Sequence, residues 1–264
     1  MIISIPFPVI DPVIFSFGPV AIRWYSLAYI AGLVLGWQLL RRLVQKSPKL
    51  IELEEVDDFL VWVTLGVILG GRLGYVIFYN LTMYINNPIS ILAVWQGGMS
   101  FHGGLLGVIG ATILFCHKRS IDLWAFADLV ACVAPIGLFF GRLANFINGE
   151  LFGRISDVPW AIIFPQGGLE PRHPSQIYEA MGEGFFLFLI MIFLVKNETL
   201  RRRSGFLTGV FFLVYGIVRT GVEYFRQPDE HIGYLSFGLT TGQFLSVPLI
   251  LAGLWLIFWS FRKS

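Results

Sequence analysis

Charge is scarce in this chain. Of its 264 residues only 14% are Asp, Glu, Lys or Arg, whereas 56% are hydrophobic and the mean hydropathy is +0.72. Soluble domains carry about 25% charged residues, so a soluble domain of this length is excluded. Cysteine is nearly missing too. Cys116 and Cys132 offer neither a disulfide framework nor a metal-ligand spacing, and they read as small apolar core residues. There is no HExxH, no GxSxG elbow and no Walker loop, which removes the enzyme classes that those motifs mark. No basic residue precedes Arg23, so residues 1–18 lack the charged n-region of a cleaved signal peptide. With their phenylalanines and prolines they read as an arm resting on the outer surface of a membrane. The net charge of +2 points to no partner by itself.

What is abundant is apolar sequence in long runs. A helix needs about 20 apolar residues to span a bilayer. Seven runs qualify, near 20–40, 58–79, 98–116, 124–145, 176–195, 206–225 and 240–260. Each is helix-length, unlike the short alternating strands of an outer-membrane barrel. The expectation is a single all-α polytopic membrane domain over 1–264, with about seven transmembrane helices. Twelve basic residues, including all five lysines, follow the odd-numbered runs: Arg41, Arg42, Lys46 and Lys49; Lys118 and Arg119; Lys196 and Arg201 to Arg203; Arg262 and Lys263. The positive-inside rule puts these loops in the cytoplasm. The N-terminus is then outside and the C-terminus cytoplasmic, with outer loops at 80–97 and 146–175.

The remaining seven basic residues are all arginines: Arg23, Arg72, Arg142, Arg154, Arg172, Arg219 and Arg226. Under this topology each lies at the outer end of a helix or in an outer loop. His102, His173, Gln176 and Glu179 join them there, and Arg219 and Glu223 lie four apart on one helical face. Ionisable groups within membrane spans are rare and mark functional sites. The inner halves hold little of this kind beyond Asp122 and Asp128. The pattern describes a polar chamber in the outer leaflet. Arginine's planar fork suits phosphate and tolerates partial burial better than ammonium does, so an anionic phospholipid headgroup is the ligand such a chamber reaches directly. Snorkelling toward headgroups is the competing role for Arg23 and Arg154. The glycines Gly66, Gly70 and Gly74 repeat every four residues, a spacing for close helix packing.

The densest polar segment is GRLANFINGELFG at 141–153, where a guanidinium, two amides and a carboxylate follow one glycine and precede another. Other readings meet specific obstacles. Gly98-Met99-Ser100-Phe101 is similar to the GxSx of rhomboid-like serine proteases. That reading needs a histidine from another helix, because His102, two residues on, points elsewhere. A transporter of anions needs polar groups continuing past the midplane, and here they stop in the outer half. A non-catalytic lipid-binding scaffold stays open on physics alone.

The 141–153 segment resembles the signature of the prolipoprotein diacylglyceryl transferase family, Gly-Arg-x-(Gly/Ala)-Asn-Phe-x-Asn-x-Glu-x-x-Gly. Gly141, Arg142, Ala144, Asn145, Phe146, Asn148, Glu150 and Gly153 all match. Further landmarks follow the family's order: Arg23-Trp24-Tyr25, Gly71-Arg72-Leu73-Gly74-Tyr75, His102-Gly103-Gly104, His173 through Glu179, Tyr215, Arg219, Glu223, Arg226, and Gly242 through Ser246. Ser26 departs from the family's usual glycine. The likeness extends over nearly the whole chain.

The resemblance implies a transferase of the bacterial cytoplasmic (inner) membrane with its active site facing the outer leaflet. It would move diacylglyceryl from phosphatidylglycerol to the lipobox cysteine thiol of a preprolipoprotein signal peptide. A thioether forms and glycerol phosphate leaves, the first step of lipoprotein maturation. Its partners would be those substrates and the surrounding membrane lipids, with no nucleic acid, metal or organic cofactor. Arg142 and Arg219 would hold the phosphate, and Asn145 and Arg72 would add hydrogen bonds. Glu150 and Glu223 would orient the arginines. Tyr25 and Tyr215 would line the lipid cavity, and Asn148, Gly153 and Arg226 complete the binding set. Thiolate is the attacking species, and His102 is the candidate base, since an ordinary imidazole titrates near 6.5. Two other roles are open to it: a bond to backbone at the helix entrance, or positioning the headgroup while the proton leaves through Glu223 or water. His173 reads as a brace for its loop.

Overall fold

The computed structural model describes residues 5–8, 10–17, 20–228, 235 and 238–262. Residues 1–4, 9 and 18 of the expected arm, and Lys263 of the basic set, lie outside them. In chain order the elements are β1 (Ile5–Pro6), β2 (Val13–Phe17), β3 (Val20–Arg23), α1 (Trp24–Val44), α2 (Leu53–Phe78) and α3 (Leu81–Asn86). Two 3-10 turns (Pro88–Leu92 and Val94–Gln96) lead into α4 (Phe101–Arg119), α5 (Leu123–Ile147) and β4 (Ile162–Ile163). Then come α6 (Ser175–Glu179), a π-helical segment (Ala180–Phe186), α7 (Leu187–Val195), α8 (Glu198–Arg201), α9 (Phe206–Val222) and α10 (Thr241–Arg262). Among the described residues six helices, counting Ser175–Val195 as one, are long and apolar enough to cross a membrane, and Phe206–Val222 is a shorter apolar helix. This is an all-α polytopic membrane protein.

Four runs differ from expectation, each for a local reason. The first is helical over Trp24–Val44 rather than 20–40, because residues 20–23 pair with β2 as the strand β3. The second begins at Leu53 rather than 58, because the Glu55 carboxylate accepts from the Glu52 amide at 3.0 Å and acidic residues suit a helix N-terminus. The sixth stops at Val222, where the amides of Phe225 and Arg226 both turn back to the Val222 carbonyl. The fifth is interrupted by the π segment.

Contacts divide the chain into two compact units: residues 41–127, and residues 1–40 with 128–264. In the first, α2 lies against α4 with glycine facing glycine. A Cβ on Gly74 would stand 2.7 Å from the Cα of Gly103, and one on Gly70 would stand 2.8 Å from the Cα of Gly107. The spacing at 66, 70 and 74 is therefore a packing device. Phe59, Phe115 and Phe126 close this unit's core, with Phe59 edge-on to Phe126 at 4.8 Å. Ser100 caps α4 by accepting from the Gly103 amide, a structural role for the serine of the protease-like tetrapeptide.

In the second unit α9 packs on α10, and Asp128 explains itself. Its carboxylate, 2% exposed, accepts from the Gly205 amide at 2.8 Å and from the Thr208 amide and hydroxyl at 2.7 Å. It satisfies the orphan amides that open α9. β2 pairs antiparallel with β3, while β1 runs parallel to β4 and single bridges join Gly153 to Arg226 and both Ile155 and Ile162 to Arg172. These stitches give the 148–174 segment a backbone hydrogen-bonding partner without a helix.

Candidate active site

The signature segment straddles the end of α5. Gly149 and Leu151 take positive φ, at 68° and 58°, which turns the chain sharply after Ile147. Within this turn Asn145 Nδ2 and Asn148 Nδ2 donate to Glu150 Oε1 at 2.8 and 3.3 Å. Gln176 Nε2 donates to the Glu150 carbonyl at 2.6 Å, and Ser175 Oγ to that of Leu151 at 3.0 Å. These residues lock the turn onto the start of α6. Glu150 therefore does not orient Arg142, as its place in the signature suggests. Its side chain takes the two amides, and Asn145 spends its donor there.

Arg142 instead reaches across to the Ser175–Val195 helix. Its Nη1 lies 3.2 Å from Glu179 Oε2 and its Nη2 donates to Glu183 Oε2 at 3.2 Å. Arg219, on α9, donates to Glu179, forms a close ion pair with Glu223 and stands 3.6 Å from Glu183. Arg226 lies 3.5 Å from Glu179 and 3.8 Å from Glu223. Three guanidinium groups and three carboxylates thus form one cluster of zero formal charge. Exposure is distributed unevenly within it. The side chains of Glu179 and Glu183 are 0% exposed and Glu223 4%, while Arg142, Arg219 and Arg226 keep 14, 11 and 12%. The carboxylates are the more deeply buried half of the cluster and the arginine side chains the less buried half.

A buried ionic cluster gains little stability over well-packed apolar residues. Burial cost is thus borne for something other than stability, and an arginine face suits a phosphate or carboxylate. Two phenols adjoin it. Tyr215, half-buried on α9, lies within electrostatic range of Arg142, Arg219, Glu179 and Glu183. Tyr29, one turn beyond Tyr25 and with its ring 5.2 Å from it, is within range of Arg142.

The other expected site residues have different surroundings. Arg72 is 3% exposed, and its donors go to five carbonyls of the loop 90–98: Nε to Ile91, Nη1 to Gly97 and Gly98, and Nη2 to Ser90 and Ala93. Its guanidinium staples that loop rather than presenting an edge. His102 is exposed in the first turn of α4, its ring beside that of Phe101. Both belong to the unit 41–127, whereas Arg142, Arg219 and Arg226 belong to the other. Gly153 is buried where a Cβ would meet the carbonyl oxygens of Phe225 and His173 at 2.5 and 2.6 Å; only glycine fits. Arg154 donates to the carbonyls of Arg226 and Glu223. His173 packs edge-on to Tyr178 and Phe225, with Nδ1 3.1 Å from the Tyr178 hydroxyl. Burial holds its imidazole below the ordinary histidine value, so it is a neutral brace at pH 7.

Glu183 and Tyr29 are absent from the sequence-derived set. A carboxylate between two glycines in the apolar run AMGEGFFLFL is itself the signal that marks Glu183, by the same reasoning that singles out Arg142. Tyr29 carries no such signal, being one aromatic among many.

The fold and cluster define a class: a multi-pass membrane protein that buries a cluster of paired arginines and carboxylates among its helices. Within that class the chain belongs to the prolipoprotein diacylglyceryl transferase family, whose model matches residues 12–259. It is 55% identical over 257 residues to the phosphatidylglycerol–prolipoprotein diacylglyceryl transferase of Azospirillum brasilense, covering 97% of this chain and 96% of that protein. The enzyme of the same name from Rhodospirillum rubrum is 57% identical over 256 residues, covering 96% and 93%. That from Paramagnetospirillum magneticum is 54% identical over 265 residues, covering 100% and 98%.

Proposed function

We propose that this chain transfers diacylglyceryl from phosphatidylglycerol to the lipobox cysteine of a preprolipoprotein. One observation carries the reading: three arginine side chains keep 11 to 14% exposure beside paired carboxylates that keep almost none. In the reaction the cysteine sulfur bonds to the glyceryl carbon and the bond from that carbon to the phosphate oxygen breaks. The electron pair leaves on that oxygen as glycerol phosphate. Arg142 and Arg219 hold the phosphate and offset the charge growing on it, an effect that preorganised donors supply strongly in a low-dielectric site. Arg226 widens the same face. Tyr215 and Tyr25 orient the headgroup, while Asn145, Asn148 and Glu150 fix the turn from which Arg142 projects. Arg72 acts on this scheme indirectly, by holding the loop 90–98.

The base for the thiol is His102 in this reading. The positively charged last turns of α1, α4 and α10 support a cytoplasmic C-terminus and an active site facing the outer leaflet of the inner membrane. Purified protein incubated with phosphatidylglycerol and a lipobox peptide should yield peptide heavier by one diacylglyceryl group, and the cysteine-to-serine peptide should not. Folded protein giving no mass shift sinks the assignment. His102→Gln should lower the rate about 100-fold and flatten its rise with pH. A variant with most of its rate and the same pH profile removes His102 as the base.

A further inference from the structure

We propose that Glu183 is the positioning residue for Arg142, holding it and Arg219 as one clamp; this rests on the reading above that these arginines take the phosphate. The argument begins with the local sequence Gly182-Glu183-Gly184 inside the π-helical segment. A π turn shifts the side chains that follow it round the helix and recurs at functional sites. The flanking glycines let the segment press against two helices at once. A Cβ on Gly182 would collide with Val218 of α9, and one on Gly184 would stand 2.6 Å from the Phe139 Cβ of α5. Between them Glu183 reaches an arginine on each of those helices, three residues past Phe139 and one past Val218.

The contacts are unequal, and the inequality singles out Glu183. Arg219 is held by Glu179 and Glu223 whether or not Glu183 is present. Arg142 has one side-chain hydrogen bond to the described residues, and it goes to Glu183 Oε2. Its one other ionic partner among the described residues, Glu179 Oε2 at 3.2 Å, lacks hydrogen-bond geometry and counts among the buried oxygens without a hydrogen-bond partner there. Without Glu183 the Arg142 fork can rotate. The second oxygen of Glu183, Oε1, has no donor among the described residues and stands 3.6 Å from Arg219 Nη1. A fully buried carboxylate with a half-used acceptor is costly, so its place between the two arginines is better explained by orientation than by stability.

The test uses the full chain reconstituted in phosphatidylglycerol bilayers, with transfer measured per folded protein and glycerol phosphate binding followed by 31P NMR. For Glu183→Gln the expected kcat falls roughly 30- to 100-fold, the cost of misplacing a group by about 1 Å. KM for the lipid moves less than about threefold, since the bilayer itself holds the acyl chains, and glycerol phosphate binds at least about fivefold more weakly. Glu183→Asp, which keeps the charge but is too short to span both arginines, should recover only part of kcat. In an Arg142→Lys background Glu183→Gln should cost less than about threefold, because no fork remains to orient. A merely structural role predicts lower yield with unchanged kcat per folded protein, and equal losses in both backgrounds. Either result overturns the proposal, as does wild-type kcat and ligand binding in Glu183→Gln or, if that variant does not fold, in Glu183→Asp. An inactive wild type would instead count against the transferase reading, leaving the binding comparison to decide Glu183.

Discussion

The dipeptide Gly-Arg occurs toward the end of two long apolar helices, as Gly71-Arg72 on α2 and Gly141-Arg142 on α5, and the two arginines meet different fates. Arg72 is enclosed by five backbone carbonyls and packs over the Tyr84 ring at 5.2 Å, with 3% exposure. Carbonyls solvate a guanidinium without neutralising it, and here they leave no donor edge free, so this cation serves to hold a loop. Arg142 is set against two carboxylates and its side chain keeps 14% exposure. Its charge is balanced by ionic partners instead of being wrapped in backbone. Two arginines with the same neighbour and a like place in sequence thus divide into a loop staple and a member of an ion-pair cluster, proposed above to face the ligand, and the division is made by the partners.

The comparison breaks most directly by removing each cation. Arg142→Ala and Arg219→Ala should each lower transfer by about 1,000-fold, the scale for losing a preorganised charge-stabilising donor, while the protein still inserts. Near-normal transfer by either, in the mass assay, removes phosphate clamping from the mechanism. Arg142→Lys should rescue little, because a point charge cannot reproduce the fork. For Arg72→Ala the loss should fall on structure instead. Five carbonyls lose a charged donor, so the loop 90–98 should be destabilised by roughly 2–4 kcal/mol. Hydrogen exchange should then rise across 88–98, with KM for lipid unchanged in the folded fraction. A specific rise in KM with normal exchange would make Arg72 a ligand residue after all.

Much of this was legible in the sequence. Seven apolar runs appear as helices, and the arginines 142, 219 and 226 share one cluster. Composition and period suffice for the first, because spanning a bilayer demands length and apolarity before any partner is chosen. For the second, the cost of burying charge was the guide. What the sequence withheld is pairing. Glu150 stands near Arg142 along the chain, yet the turn at Gly149 and Leu151 brings it under Asn145 and Asn148. Glu183 is 41 residues from Arg142 and meets it through the packing of α5 against the π segment. The Arg72 staple likewise depends on where the 80–97 loop folds back. Side-chain partners across elements follow from tertiary packing, which a local pattern does not encode.

The smallest expected effect sharpens the same contrast without disabling the protein. A ligand that binds only the folded state stabilises it by RT ln(1 + [L]/Kd), about 1.4 kcal/mol at ten times Kd. Glycerol phosphate at that excess should raise the thermal midpoint of wild type by a few degrees. An Arg72→Lys variant, starting from a lower midpoint, should show the same increment, because all five Arg72 N–H donors are already taken by backbone carbonyls. Arg142→Gln keeps a hydrogen bond to Glu183 but offers no cation, so its increment should vanish. The increment isolates ligand linkage from intrinsic stability, which each variant reports in its own unliganded midpoint. If it follows Arg72 instead of Arg142, the assignment of staple and ligand-facing group must be exchanged. If it survives in Arg142→Gln and in Arg219→Gln alike, the exposed guanidinium face is not where the phosphate binds.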